Sequence, residues 1–190
     1  MSAVLGQGVL EGLRFGGGKR LPVMLQTEAA ECGLASLAMI ARYYGHDIDL
    51  PGLRRKASLS LKGASLKRVI EIAGRLGFDT RPLRLELHEL PQLKTPCILH
   101  WDLNHFVVLK QADAKSIVIH DPAQGVRRLT LEEASKHFTG VALELWPAAN
   151  FKPQKAREAI SLKALSGEVH GLKRALTQIF LLALGLEVLA

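Results

Sequence analysis

Cys32 opens the stretch CGLASLAMIARYY, in which Leu34, Leu37, Ala38 and Ala41 recur at helical spacing and Gly45 stands where the helix would stop. Unpaired backbone N–H groups and the positive end of the helix dipole favour a thiolate at such a position. A lone helical cysteine is more often a small buried apolar side chain, so it needs partners before it means chemistry. His105 and Asp121 supply them. They lie in two short apolar runs, HFVVLK and SIVIHD, joined by a polar turn centred on Asp113. A hairpin folded about Asp113 pairs residues equidistant from it, which puts His105 directly opposite Asp121. Opposed side chains have Cβ atoms roughly 4.5 to 5.5 Å apart, so the carboxylate can hydrogen-bond the imidazole and fix its tautomer. Thiol, base and orienting acid are the parts of a cysteine hydrolase. Gln26, upstream of Cys32, is close enough for a turn to fold its amide beside the sulfur as an oxyanion donor, although a loop glutamine alone says little.

A metal reading needs more ligands. His100, His105 and His120 alternate faces or lie far apart and no two cysteines are close, so neither zinc nor another cofactor is expected in this chain. The Gly-rich, Lys-ended phosphate loop is missing as well, and ATP with Mg would belong to a nucleotide-binding domain outside this sequence. His46 and His88 read as surface residues, and Cys97, between Pro96 and Ile98, reads as core.

These groups must be held by recognisable elements. Ser65 caps a second helix whose Leu66, Val69, Ile70, Ala73 and Leu76 share one face before Gly77 ends it. Asp49 to Ala57 reads as a short turn. Beyond Gly77 the period changes to short runs of branched aliphatics: CILHW, HFVVLK, SIVIHD and VALELW. Thr130 and Glu133 have capping-box spacing, which predicts a short helix to about Phe138. Helices first and antiparallel strands second describe an α+β domain of two lobes with a cleft between them. On the hairpin, Val107, Leu109, Ile117 and Ile119 would face the helical lobe, and Val108, Val118 and His120 would face away.

The chain has 190 residues, 48% hydrophobic and 23% charged, enough apolar surface for one folded domain with an appendage. Two cysteines cannot staple a disulfide framework and no secretory signal opens the sequence, which points to a reducing, cytoplasmic setting. The net charge of +7 is spread along the chain, and aromatics, at 5%, are not interleaved with the basic residues, so nucleic acid is not an expected partner. Residues 1–20 form a Gly-rich lead-in, and Gly16, Gly17 and Gly18 there raise the thought of a self-cleavage site against a plain linker. The domain runs over 21–150, a basic linker over 151–171, and a hydrophobic tail over 172–190. That tail is shorter than the roughly 20 residues that span a bilayer. It reads as the start of a truncated transmembrane helix or, alternatively, as an amphipathic helix packed on the domain. With Lys173 and Arg174 just before it, the first reading keeps the domain on the cytoplasmic side.

LPVMLQTEAAECGLASLAMIARYYG, ILHWDLNHFVVL and HDPAQGVRRL, in this order, resemble the papain-like cysteine peptidase domain at the N-terminus of bacterial ABC exporters of peptide bacteriocins. The resemblance runs from about Leu21 to Trp146. It implies that Cys32 attacks the peptide bond after a double-glycine leader, that His105 is the base, that Asp121 orients it, and that Gln26 is the oxyanion donor. It also implies a precursor peptide as substrate, a membrane-embedded transporter core, homodimeric in the full-length protein, as partner, and a bacterial inner-membrane location. Relatives that export large toxins lack the cysteine and only bind cargo. A non-catalytic docking module and another papain-like thiol amidase or transferase therefore stay open as alternatives.

Overall fold

A computed structural model describes residues 20–57, 64–153 and 172–189 of the chain. The Gly-rich lead-in before Arg20, and with it the triple glycine, lies outside the described residues, as does most of the basic linker. The chain divides into two compact units, Met1–Ala156 and Arg157–Ala190.

The first α-helix described in the first unit is also a continuously buried one. Helix α1, Cys32–Tyr43, is buried continuously from Cys32 to Ala41, which fits a sequence with no polar stripe and only Ser36 as a polar interruption. Gly45, at a φ of 96°, makes the left-handed turn that releases the chain. Helix α2, Leu50–Ala57, replaces the expected turn. Asp49 Oδ1 accepts the Gly52 N–H at 2.7 Å, so Asp49 caps the helix and Pro51 sits in the first turn, where its missing donor costs nothing. Helix α3, Leu66–Arg75, is capped as expected, the Arg68 N–H donating to Ser65 Oγ at 3.3 Å, and it buries Val69, Ile72 and Ala73.

Six strands follow: β1 Phe78–Arg84, β2 Cys97–Trp101, β3 His105–Ala112, β4 Ser116–Asp121, β5 Gly125–Thr130 and β6 Phe138–Pro147, with the short helix α4, Leu131–Ser135, between β5 and β6. They form one antiparallel sheet in the order β1-β6-β2-β3-β4-β5. The two strands that the sequence did not announce, β1 and β5, are the two edges. An edge strand has one partner and more water, so it tolerates Arg81, Pro82, Arg84, Arg127 and Arg128, which mask a strand pattern.

The sheet is covered on both faces. Ile98, Phe106, Val108, Leu143 and Leu145 pack with α1 and α3 in one core. Cys97, Leu99, Trp101, Val107, Leu109, Ile117 and Ile119 form a second core with Leu90 and Ala134 on the opposite face. The predicted sidedness of the hairpin is thereby reversed: Val108 faces the helices, and Val107, Leu109, Ile117 and Ile119 face away. Alternation separates two faces, but when both are apolar it does not tell which one meets the helices.

The hairpin register also differs. Asp113 opens the turn rather than centring it, its Oδ1 accepting the N–H groups of Lys115 and Ser116, each at 2.8 Å. Ala112 pairs with Ile117, a bulge between Leu109 and Gln111 shifts the ladder, and Val108 then pairs with His120. At Val108 the partner lies two residues further along β4 than expected, and His105 and Asp121 are not a ladder pair; their side chains meet beyond the paired stretch.

The second unit contributes helix α5, Leu172–Leu189, whose Leu176, Ile179, Phe180 and Leu182 are exposed. Among the described residues no helix is long and apolar enough to cross a membrane.

Candidate active site

The head of α1 is seated tightly. A Cβ on Gly33 would lie 3.0 Å from Val69 Cγ2 and 3.4 Å from Phe106 Cδ2, so only glycine allows α1 this close to α3 and β3. One turn further on, buried Ser36 Oγ donates to the Phe106 carbonyl at 3.2 Å. The helix bearing the thiol is thus bonded to the strand residue next to His105. Cys32 itself is 5% exposed.

His105 is the first residue of β3, and its Nε2 lies 2.8 Å from Asp121 Oδ1. Cys32 lies close enough to the same ring to help raise its pKa. Since Nε2 is engaged by the carboxylate, Nδ1 is the nitrogen left for the sulfur. Burial by itself would depress the imidazole, but the hydrogen bonds and charges of Asp121 and Cys32 outweigh it and raise its pKa to about 9.

Asp121, the last residue of β4, is buried, with further partners on both oxygens. Oδ1 also accepts the Ala123 N–H at 2.8 Å, and Oδ2 lies 3.5 Å from Arg127 Nη1. Burial pushes its carboxyl up, and the His105 and Ala123 bonds with the charges of His105 and Arg127 bring it below the ordinary value. Arg127 escaped sequence reasoning because its approach depends on the β4–β5 register, in which it pairs with Ile119, two residues before Asp121.

Gln26 is fixed from the other side. Its N–H donates to the carbonyl of Pro122, the residue after Asp121, at 2.8 Å. Its side-chain Oε1 is buried and has no hydrogen-bond partner among the described residues. Cys32, His105 and Asp121 form one connected chain of contacts, and Gln26 is tied by its backbone to the acid's end of it.

The other histidines serve elsewhere. His46, expected at the surface, is 4% exposed: its Nε2 lies 2.9 Å from the Leu76 carbonyl and its ring packs against Phe78 and Phe151. The apolar ring is worth burying because a backbone acceptor satisfies its polar edge. His88 is exposed. His120 Nδ1 lies 3.0 Å from the Pro22 carbonyl, and burial holds its pKa down. His100, 2.7 Å from Thr139 Oγ1, lines a cavity of about 580 Å³ with Leu66, Leu103, Phe106 and Val141, among others. Among the described residues no group of three His, Cys, Asp or Glu side chains could hold a metal ion.

A thiol beside an imidazole that a buried carboxylate holds, between helices and an antiparallel sheet, is an arrangement suited to cysteine peptidase chemistry. Comparison with known proteins agrees: residues 20–150 match the peptidase C39 family, and the chain belongs to that family. It is 52% identical over 171 residues to the colicin V secretion/processing ATP-binding protein CvaB of Escherichia coli, covering 90% of this chain and 24% of that relative. To the transport/processing ATP-binding protein ComA of Streptococcus pneumoniae it is 34% identical over 70% of this chain and 20% of the relative. The chain thus spans about a quarter or less of the length of these curated relatives.

Two solved structures share the papain-like fold. A double glycine motif protease from an AMS/PCAT transporter, in complex with the leader peptide, is 38% identical with a TM-score of 0.64, covering 70% of this chain and 96% of that one. The peptidase domain of Streptococcus ComA, a bi-functional ABC transporter, is 28% identical with a TM-score of 0.62, covering 67% and 99%.

Proposed function

We propose that this domain is a cysteine endopeptidase that removes double-glycine leaders from bacteriocin-like precursor peptides, with Cys32 as nucleophile, His105 as acid and base, Asp121 as its orienter and Gln26 as oxyanion donor. The single observation that carries the reading is the His105 ring, bonded to Asp121 at 2.8 Å and set beside the Cys32 thiol.

The chemistry follows from that geometry. With its pKa raised, the ring is an imidazolium at neutral pH, a positive neighbour for the attacking sulfur. The sulfur attacks the carbonyl carbon of the second glycine, and the new oxyanion is held by the Gln26 side-chain amide and the Cys32 N–H at the head of α1. His105 protonates the departing amine as the C–N bond breaks, leaving the leader as a thioester. Water, deprotonated by the same ring, hydrolyses that thioester and restores the thiol. No metal or cofactor enters any step. The small final glycines suit a thiol that is buried, and the cavity beside Phe106 offers apolar walls for bulkier leader side chains further upstream.

The relatives also suggest a setting: a peptidase head on the cytoplasmic face of an exporter whose membrane core, a dimer in the whole protein, begins with α5, and whose ATP and Mg are held by a separate domain. Incubating the chain with a synthetic double-glycine leader peptide and identifying the products by mass spectrometry tests the activity. Cleavage after the second glycine is expected. Leader binding without cleavage would instead identify a docking module, and turnover of other acyl donors alone would identify a different thiol amidase.

A further inference from the structure

Glu31 immediately precedes Cys32, and its side chain is only 2% exposed. Burying a carboxylate is costly unless hydrogen bonds and a counter-charge offset it. Here both are present, and they converge on one short loop. Glu31 Oε2 accepts from the Thr27 N–H at 3.2 Å, the Thr27 hydroxyl at 2.8 Å and the Glu28 N–H at 3.2 Å. Its other oxygen pairs with Arg54 of α2, and Arg54 Nη2 also donates to Thr27 Oγ1 at 2.9 Å. Burial would push the carboxyl up, yet the Thr27, Arg54 and Glu28 bonds hold it below its ordinary value, so it is ionised at neutral pH.

These bonds land on the two residues that follow Gln26, whose own N–H is fixed to Pro122. The loop therefore has an anchor behind Gln26, beside Asp121, and another ahead of it, beside Cys32. Capping the short 3-10 turn Ala29–Glu31 would require only the bond to Glu28; the two bonds to Thr27 and the link to α2 go further. Among the described residues no hydrogen bond joins Glu31 to Cys32 or His105.

We infer that Glu31 is a positioning residue that sets the oxyanion donor: its carboxylate clamps residues 27 and 28 so that the Gln26 amide is held at a fixed reach from the thiol. The inference rests on the peptidase reading above. Because it works through Gln26, it separates acyl transfer, which needs an oxyanion donor, from simple alkylation of the thiolate, which does not.

The test measures, on the purified chain, steady-state cleavage of a double-glycine leader peptide and the rate of Cys32 alkylation by iodoacetamide across pH, followed by intact mass. Cys97 is fully buried and its thiol is pushed far up by burial and by Glu144, so the mass change reports Cys32. Glu31→Gln is expected to lower kcat about 10- to 100-fold with KM within about twofold, short of the roughly 10²- to 10³-fold effect of deleting an oxyanion donor. Alkylation and its pH profile should stay within about twofold. Added to Gln26→Ala, the substitution should cost little more, since both act on one interaction.

An unchanged kcat, a parallel fall in alkylation, or losses that multiply in the double variant would each overturn the inference. A wild type that alkylates but leaves the leader uncut would overturn the peptidase reading and the inference with it. If Glu31→Gln fails to fold, Thr27→Ala removes one donor while sparing the carboxylate's pairing with Arg54. A loss of several-fold in kcat with normal alkylation supports the clamp, and no loss overturns it.

Discussion

Two histidine–carboxylate pairs, one at the ends of β3 and β4 and one in the turns beside β2 and β6, have almost the same bond length. His105 and Asp121 are 2.8 Å apart; His137 and Asp102 are 2.7 Å apart. Their surroundings differ. The first pair is 16% and 2% exposed, has the Cys32 thiol on the ring, and has Ala123 and Arg127 on the acid. The second is 36% and 49% exposed, and its ring stacks on Trp101. A hydrogen bond in water exchanges one partner for another at little net gain, whereas in a buried site the same bond decides a protonation state. What suits the first pair to chemistry is burial and a neighbouring thiol, not the bond itself.

The largest contrast is expected on removing the rings. His105→Ala should lower kcat for a double-glycine leader peptide by 10³-fold or more, and His137→Ala should leave it within about twofold, both read by a timed cleavage assay. Equal effects would break the distinction between the two pairs. Next come the acids: Asp121→Asn should cost about 10- to 100-fold, because the ring loses its orienter and counter-charge while thiol and base remain, and Asp102→Asn should cost nothing measurable.

The pH dependence sharpens the same contrast. The pKa of His105 is raised from its ordinary 6.5 to about 9, so kcat/KM should fall as pH rises through about 9 and the imidazolium is lost. In Asp121→Asn that limb should move to lower pH. For stability the signs are opposite for the two partners. The His105 contribution is complete below about pH 6.5 and lost as pH climbs through 9; that of Asp121, whose pKa is lowered, is present above its ordinary 3.8 and lost as pH falls below it. A pH series of denaturant midpoints, compared with that of His105→Ala, checks both.

The smallest expected effect concerns the seat of the thiol. Gly33→Ala forces a Cβ to 3.0 Å from Val69 and should cost about 1–3 kcal/mol of stability by overpacking. Gly74→Ala, on the open side of α3 with nothing within 4 Å, should gain about 0.5–1 kcal/mol instead.

Much of this was legible in the residues. Cys32, His105 and Asp121 could be brought together because a helix start and a hairpin are local patterns, and His105 and Asp121 meet although the hairpin register differs. Which face of the hairpin meets the helices could not be read, since both sides of the sheet are apolar. The edge strands β1 and β5 were hidden by their arginines, α2 by a Pro-Gly pair that also suits a turn, and buried His46 by a polarity that only the Leu76 carbonyl satisfies. Glu31 and Arg127 remained invisible because their roles depend on contacts between segments far apart in the chain or on a strand pairing not foreseen.

The central claim is that one sulfur, that of Cys32, cuts the leader. Wild type and Cys32→Ala, incubated side by side with the same double-glycine peptide, test it most directly. Wild type should release a fragment ending at the second glycine, and the variant should bind the peptide with similar affinity and release none. Cleavage at the same bond and the same rate by Cys32→Ala would contradict the account.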